Sequence, residues 1–107
     1  MSQQPEPPVC AAPLPNTLRP TFKLPPNATD CHAHVFGERA KYGYSNERQY
    51  TPPPVYLKDY LAMHDAVGFT RGVLVHTAVH GTNNQGILDA MAQTNGRVRA
   101  IAQIGRP

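Results

Sequence analysis

The stretch Ala28-Thr29-Asp30-Cys31-His32-Ala33-His34-Val35-Phe36 places two histidines one residue apart at the end of a short, mostly apolar segment. Side chains alternate between the two faces of a β-strand, so His32 and His34 are expected to share one face. The residues expected on the opposite face are Cys31, Ala33 and Val35. Two imidazoles this close can hold a divalent metal or polarise one carbonyl oxygen. The alternative is a strand with one capping histidine and one core histidine; the adjacent aspartate and the following glycine favour the functional interpretation.

Downstream of this strand, the apolar pattern predicts a helix and then a second strand. The helix is expected over residues 55–67, because apolar residues recur on one face and Gly68 can end it. His64 lies on that face, so we interpret it as a residue of the helix interface rather than a ligand. The run Gly72-Val73-Leu74-Val75-His76 is apolar and rich in β-branched residues, which predicts a strand covered on both faces in a parallel sheet.

A second helix and a third strand complete the pattern. Thr82 and Gln85 have the spacing of a capping box, and Asn95-Gly96 can end the helix that they open. The expected buried residues of this helix are Ile87, Leu88, Met91 and Ala92. Residues 98–104 alternate as a strand that runs into Gly105. Repeated strand–helix units imply an α/β fold with parallel strands.

The residues able to do chemistry follow the predicted strands. In parallel α/β sheets, active sites collect at the carboxyl ends of the strands and in the loops after them. Six such residues occur at those positions: His32, His34, Tyr50, His76, Thr77 and His80. Four of the five histidines are therefore expected at one edge of the sheet, which is the strongest argument from pattern alone for an active site.

Two segments lack a regular pattern. Residues 1–27 are rich in proline, which removes backbone donors, so we expect an extended N-terminal segment followed by a folded unit over residues 28–107. Three apolar side chains of that segment are candidates for packing along the folded unit: Leu18, Phe22 and Leu24. Residues 37–54 are polar and rich in glycine and proline, which indicates a long loop of the kind that often has a function.

Composition argues against several classes of function. The 107 residues have a net charge of +3 and 40% hydrophobic content, typical of a small globular protein. The basic residues are scattered, so no nucleic-acid partner is expected. Cys10 and Cys31 lie in different settings, which favours free thiols in a reducing cytoplasm. No signal peptide or membrane-spanning run is present in the sequence, so we expect a cytoplasmic protein without a membrane partner.

Three segments together resemble one family. They are the stretches 29–37, 48–53 and 75–84, which read TDCHAHVFG, RQYTPP and VHTAVHGTNN. They are similar to the opening of the amidohydrolase-related metal-dependent hydrolases, and within that group to the 2-pyrone-4,6-dicarboxylate lactonases. The resemblance covers about residues 28–104. It implies a (β/α)8 TIM barrel, of which this chain would be the N-terminal portion with about three strands and two helices.

The resemblance also implies roles for individual residues. His32 and His34 would be the catalytic pair of the first strand and the ligands of a divalent metal such as zinc. Lactonase-like members are known to work without a tightly bound metal, and there the pair would polarise the lactone carbonyl. Tyr50 and His80 would contact a small anionic substrate, although Tyr50 has the alternative of packing against the following prolines. Ala78 stands where the lactonases tend to have a serine for a substrate carboxylate, which weakens the case for the dicarboxylate itself.

The expected activity is therefore hydrolysis of the lactone of a small anionic carboxylic acid. A complete barrel needs about 250 residues, so we expect this chain to be a truncated piece that is inactive alone. Two alternatives stay open. One is a metal-dependent nonoxidative decarboxylase of the same superfamily. The other is a non-catalytic remnant, or a metal-binding or self-associating module with a vestigial site, which as a self-associating module would form a homo-oligomer.

Overall fold

A computed structural model describes residues 6–104 and contains one three-stranded sheet. The strands are β1 (Thr29–Ala33), β2 (Arg71–Val75) and β3 (Val98–Ile101). They lie in the order β1-β2-β3 and both pairs are parallel, so the predicted α/β fold with parallel strands is confirmed. β3 is shorter than expected, and its predicted end at Gly105 lies outside the described residues.

Three α-helices connect or precede these strands. They are α1 (Arg39–Tyr42), α2 (Leu57–Val67) and α3 (Gln85–Gln93), and a 3-10 turn spans Ala78–His80. The prediction for α2 is confirmed, including its end at Gly68. That residue has a left-handed φ of 109°, and its N–H donates to the carbonyl of His64 at 2.7 Å. α1 is a single helical turn within the loop that was expected to be irregular. No helix among residues 6–104 combines the length and the apolar character that crossing a membrane requires.

The start and the buried face of α3 differ from the prediction. Asn84 immediately precedes the helix. The N–H of Gln85 donates a hydrogen bond to Oδ1 of Asn83 at 3.1 Å. The capping box predicted at Thr82 is therefore wrong. The helix contacts the core through Ile87 and Ala90. The other three residues expected to be buried are exposed: Leu88, Met91 and Ala92.

The core lies between the helices and one face of the sheet. Its buried members are Tyr60, Leu74, Ile87, Ala90 and Val98. The opposite face is more open, because Val73 and Val75 are only half-buried and Ile101 is 56% exposed. The prediction that β2 is covered on both faces is thus correct only for the face of Leu74, against which residues of α2 and α3 pack.

Residues 6–27 form no helix and no strand of the sheet, and bends or turns interrupt them at residues 15–16, 21–22 and 26–27. Leu18 and Phe22 are 88% and 69% exposed, whereas Leu24 is half-buried. Packing of Leu18 and Phe22 against the folded unit is therefore not seen. Val9 nevertheless forms a parallel bridge with Thr51, so the start of this segment reaches the long loop.

Candidate active site

A bulge in β1 determines how the histidine pair is presented. Asp30 lies opposite Gly72 and Ala33 lies opposite Leu74, so β1 has one residue more than β2 between these pairs. Ala33 and Val35, two of the three residues expected on the face opposite the histidines, pack against the core. Cys31, expected on the same face, is exposed. The extra residue interrupts the alternation of side chains between the two faces of the strand. A prediction that assumes regular alternation cannot foresee such a bulge.

His32, within the bulge, and His34, just after the end of β1, lie side by side, as the spacing predicted. Their ring centroids are 5.1 Å apart with the ring planes nearly perpendicular, and both residues are exposed. The Nδ1 atom of His34 lies 2.8 Å from the carbonyl oxygen of Val75 at the end of β2. Because a carbonyl can only accept, this Nδ1 carries a proton, and in the neutral form of the ring the lone pair is therefore on Nε2.

His80 lies across the same edge, in the 3-10 turn after β2. Its Nδ1 donates to the carbonyl of Gly43 at 2.8 Å, and its ring centroid is 5.5 Å from that of Tyr44. Burial lowers the pKa of His80, and the nearby His76 lowers it further against the opposing effect of the Gly43 hydrogen bond. The ring is therefore neutral near pH 7, with an unprotonated Nε2.

Phe36 is the residue that brings these groups together, and sequence reasoning did not single it out. Its ring is buried and lies 6.2 Å from His34, 5.9 Å from His80 and 6.4 Å from Tyr50, measured between centroids. Two backbone hydrogen bonds with Val55 hold Phe36 and close the base of the long loop. Its position two residues after His34 is the signal that could have revealed it.

We call the resulting group the carboxyl-edge cluster, comprising His32, His34, Phe36, Tyr44, Tyr50, His76 and His80. Tyr44 is a second member that the sequence did not suggest. His76 joins through Nε2, which lies 2.5 Å from the carbonyl oxygen of Gly81, and its ring is 6.3 Å from that of His80. Burial raises the pKa of Tyr50, so its phenol is a neutral hydrogen-bond donor. Thr77, also expected here, is buried at 8% exposure.

His64 lies at the opposite end of the sheet, as expected for a helix-interface residue. It is fully buried, and its Nε2 lies 2.9 Å from Oδ2 of Asp30. The aspartate next to the histidine pair thus contacts α2 instead of joining the carboxyl-edge cluster. Gly72 leaves room for this contact: a Cβ there would clash with the Tyr60 hydroxyl and lie 2.7 Å from Cε1 of His64.

The family is shown by comparison with known proteins. The sequence profile of the amidohydrolase family (Amidohydro_2) matches residues 29–107. This chain belongs to the amidohydrolase family. The resemblance stated from the three sequence segments is thereby confirmed.

Named relatives of this amidohydrolase chain include two kinds of hydrolase. It is 45% identical over 89 residues to a 4-sulfomuconolactone hydrolase of Hydrogenophaga intermedia, covering 83% of this chain and 29% of that protein. It is 37% identical over 91 residues to a 2-pyrone-4,6-dicarboxylate hydrolase of Comamonas testosteroni, covering 85% and 30%. The chain therefore spans about 30% of the length of these curated relatives.

Solved structures give the same result for the fold. A probable 2-pyrone-4,6-dicarboxylic acid hydrolase of Acinetobacter baumannii, solved with citric acid bound, matches with a TM-score of 0.68 and 34% identity, covering 74% of this chain and 29% of that one. An apo protein of Agrobacterium tumefaciens matches with a TM-score of 0.58 at 20% identity, covering 87% and 32%, and supports the fold alone. The amidohydrolase chain has the fold of part of a (β/α)8 barrel, as predicted.

Amidohydrolases generally use divalent metal ions, so we asked whether the described residues fit one. The free Nε2 of His34 beside His32 is chemically suitable, because neutral imidazole nitrogens are good ligands and a carbonyl bond to Nδ1 is a common means of orienting them. Within residues 6–104, however, no three His, Cys, Asp or Glu side chains converge as a metal site. The pair would supply two ligands to such an ion, and its remaining ligands would have to come from other groups.

Proposed function

We propose that this chain contributes the carboxyl-edge cluster to a hydrolase that opens the lactone ring of a small anionic acid, such as 2-pyrone-4,6-dicarboxylate. The observation that carries the proposal is the pairing of His32 with a His34 whose Nδ1 donates to the carbonyl of Val75, which leaves Nε2 without a hydrogen-bond partner among residues 6–104. The relatives support the substrate class, since their names specify a sulfonated muconolactone and a pyrone dicarboxylate.

His32 and His34 would act at the carbonyl that is attacked. A metal held by the pair would act as a Lewis acid on the carbonyl oxygen. Without a metal, a neutral His34 in this tautomer has no proton to donate from Nε2, so polarising the carbonyl would require its protonated form. In both cases the Val75 carbonyl fixes the ring before substrate arrives, which lowers the entropic cost of reaching the reactive geometry.

Tyr50 and His80 would bind the anionic part of the substrate. Tyr50 is a neutral donor suited to a carboxylate or sulfonate oxygen. The Nδ1 proton of His80 is already donated to Gly43, so His80 can bind an anion only by taking up a second proton. We therefore expect anion binding at His80 to be accompanied by proton uptake and to weaken as the pH rises.

A chimera tests the proposed function directly. Residues 1–104 would replace the matching N-terminal part of the Hydrogenophaga intermedia hydrolase, and hydrolysis of 4-sulfomuconolactone would be followed by absorbance. We expect an active chimera, and a loss in kcat/KM of about 100-fold or more on His34→Ala, as for other residues that stabilise an oxyanion. Cys31→Ala, an exposed neighbour of the pair, is the matched control and should retain activity.

Two results would argue against this function. One is a chimera with a native circular dichroism spectrum and no hydrolysis; the other is an equal loss of activity in His34→Ala and Cys31→Ala. The metal content of the purified chimera tests the cofactor separately. About one divalent ion per chain that is lost in the His32→Ala/His34→Ala double variant would support the metal-dependent mechanism, whereas an active metal-free chimera would support the metal-free one.

A further inference from the structure

We propose that Arg48 is a positioning residue, held by the N-terminal segment, that sets the place of Tyr50 at the carboxyl edge; the consequence for substrate binding rests on the proposed function. The side chain of Arg48 is only 3% exposed. Its Nε and Nη2 donate to Oγ1 of Thr51, each at 3.2 Å, and its Nη1 donates to the carbonyl of Ser45 at 3.0 Å. Arg48 therefore spans the short loop that contains Tyr50.

Residues 6–10 of the N-terminal segment bind the other side of this loop. The N–H of Thr51 donates to the carbonyl of Pro8 at 2.7 Å, and its hydroxyl donates to the carbonyl of Pro7 at 2.8 Å. The N–H of Cys10 returns a bond to the carbonyl of Thr51 at 3.1 Å. Proline suits these positions, because its fixed φ favours extended chain while its carbonyl still accepts.

An ion pair between Arg48 and Glu6 connects the loop that contains Tyr50 to the N-terminal segment. A buried guanidinium is costly unless it is paired, and within the described residues its carboxylate partner is Glu6, with Nη2 3.3 Å from Oε1. The Glu6 carboxylate also pairs with Arg39 at 2.5 Å. Hydrogen bonding and charge from Arg39, followed by the charge of Arg48, hold the pKa of Glu6 below its usual value, so the carboxylate stays ionised at neutral pH.

The same contacts extend to His80. The guanidinium carbon of Arg48 lies 5.5 Å from the centroid of the Tyr44 ring, which packs against His80. The N–H of Ser45 donates to the carbonyl of Val79 at 2.6 Å, one residue before His80. We define the Arg48 latch as Arg48 with its partners Glu6, Ser45 and Thr51. The latch thus joins the N-terminal segment to both proposed substrate contacts, which gives that segment a role within the site.

Hydrogen exchange of the full 107-residue chain tests the latch without any assay of activity. The variants are Arg48→Lys, which keeps the charge but loses the forked donors, and Glu6→Gln, a surface change that should not prevent folding. In both, the amides of Thr51 and Cys10 should exchange at least about tenfold faster, while the Gly72 amide, bonded to Arg97 within the sheet, should not change. Glu47→Gln, beside Arg48 but exposed, is the matched control. The latch would be overturned if, in the wild-type chain, the amides of Thr51 and Cys10 exchange without protection while the Gly72 amide is protected.

The chimera then tests what the latch does. In Arg48→Lys we expect KM to rise about three- to tenfold with kcat within about twofold, because binding contacts are displaced while the histidine pair is not. Glu47→Gln should leave both constants unchanged. Faster exchange at Thr51 with an unchanged KM would overturn the positioning role. A wholly inactive wild-type chimera would instead count against the proposed function. The hydrogen-exchange measurement would still show whether the latch forms.

Discussion

His64, at the end of the sheet where β1 begins, is fully buried, whereas His34, just past the end where β1 stops, is exposed. His64 uses Nε2 to bind the carboxylate of Asp30. His34 uses Nδ1 to bind a backbone carbonyl, and its Nε2 has no hydrogen-bond partner in the part of the chain that the structure describes. The same type of residue is thus buried and paired at one end of the sheet and exposed to solvent at the other.

This contrast agrees with a general rule for β/α barrels. Residues at the amino ends of the strands stabilise the barrel, and active sites lie at the carboxyl ends. At the amino end, Tyr60, His64 and Gly72 are mutually packed and shielded from water. At the carboxyl end, His34 and His80 are each held by one hydrogen bond from Nδ1 to a backbone carbonyl, and His32 and His34 are exposed. Substitutions at the two ends should therefore affect different properties.

The largest expected effect comes from making the same substitution at both ends. His64→Ala leaves a cavity and an unpaired Asp30, so the free energy of unfolding should fall by about 3 kcal/mol. His34→Ala removes an exposed ring with one hydrogen bond and should cost less than about 1 kcal/mol. Urea denaturation followed by circular dichroism measures both. Equal losses would mean that the two ends do not differ in the way that the structure indicates.

A second comparison uses glycine. Gly72→Ala would place a Cβ against Tyr60 and His64, and overpacking of this kind costs about 1–3 kcal/mol. Gly86→Ala is the control, because a Cβ there lies 3.8 Å from the nearest atom of Tyr42, and alanine favours a helix by about 1 kcal/mol over glycine. Thermal unfolding should show opposite shifts in Tm. A stable Gly72→Ala variant would show that the amino end is less tightly packed than described.

A third, smaller effect concerns the pH dependence of stability at the carboxyl end. The pKa of His80 is lowered from 6.5 by burial, so below that pH the unfolded chain binds a proton that the folded chain does not. Stability should therefore fall as the pH drops through 6.5. His80→Asn keeps a donor for Gly43 but cannot titrate, and its stability should depend less on pH over this range. Identical pH profiles for the two proteins would rule out His80 as the cause.

The smallest expected effect is at Tyr60. Its hydroxyl is buried, has no hydrogen-bond partner among the described residues, and has a pKa raised to about 12 by burial and by the nearby charge of Asp30. Tyr60→Phe removes no hydrogen bond and should change the free energy of unfolding at pH 7 by less than about 0.5 kcal/mol. Above pH 10 the unfolded wild type ionises before the folded one, so only the wild type should lose stability through this residue. A large loss at pH 7 would reveal a hydrogen bond to Tyr60.

Much of the fold followed from local pattern. The apolar spacing of residues 55–67 and the glycine after them predicted α2 almost to the residue, and the β-branched run predicted β2. The pairing of His32 with His34 also followed from spacing alone, as did the interface role of His64. These features depend on neighbours a few positions apart, which is the range over which helix and strand periodicity act.

The sequence by itself therefore determined the parallel α/β arrangement, the amidohydrolase resemblance and the histidine pair. Only the tertiary structure decided the bulge that exposes Cys31, the bond between His64 and Asp30, the central place of Phe36 and the Arg48 latch. The physical reason is distance along the chain: His64 and Asp30 are 34 residues apart, and Arg48 and Glu6 are 42 apart. Such contacts depend on how whole elements pack, and no local period encodes them.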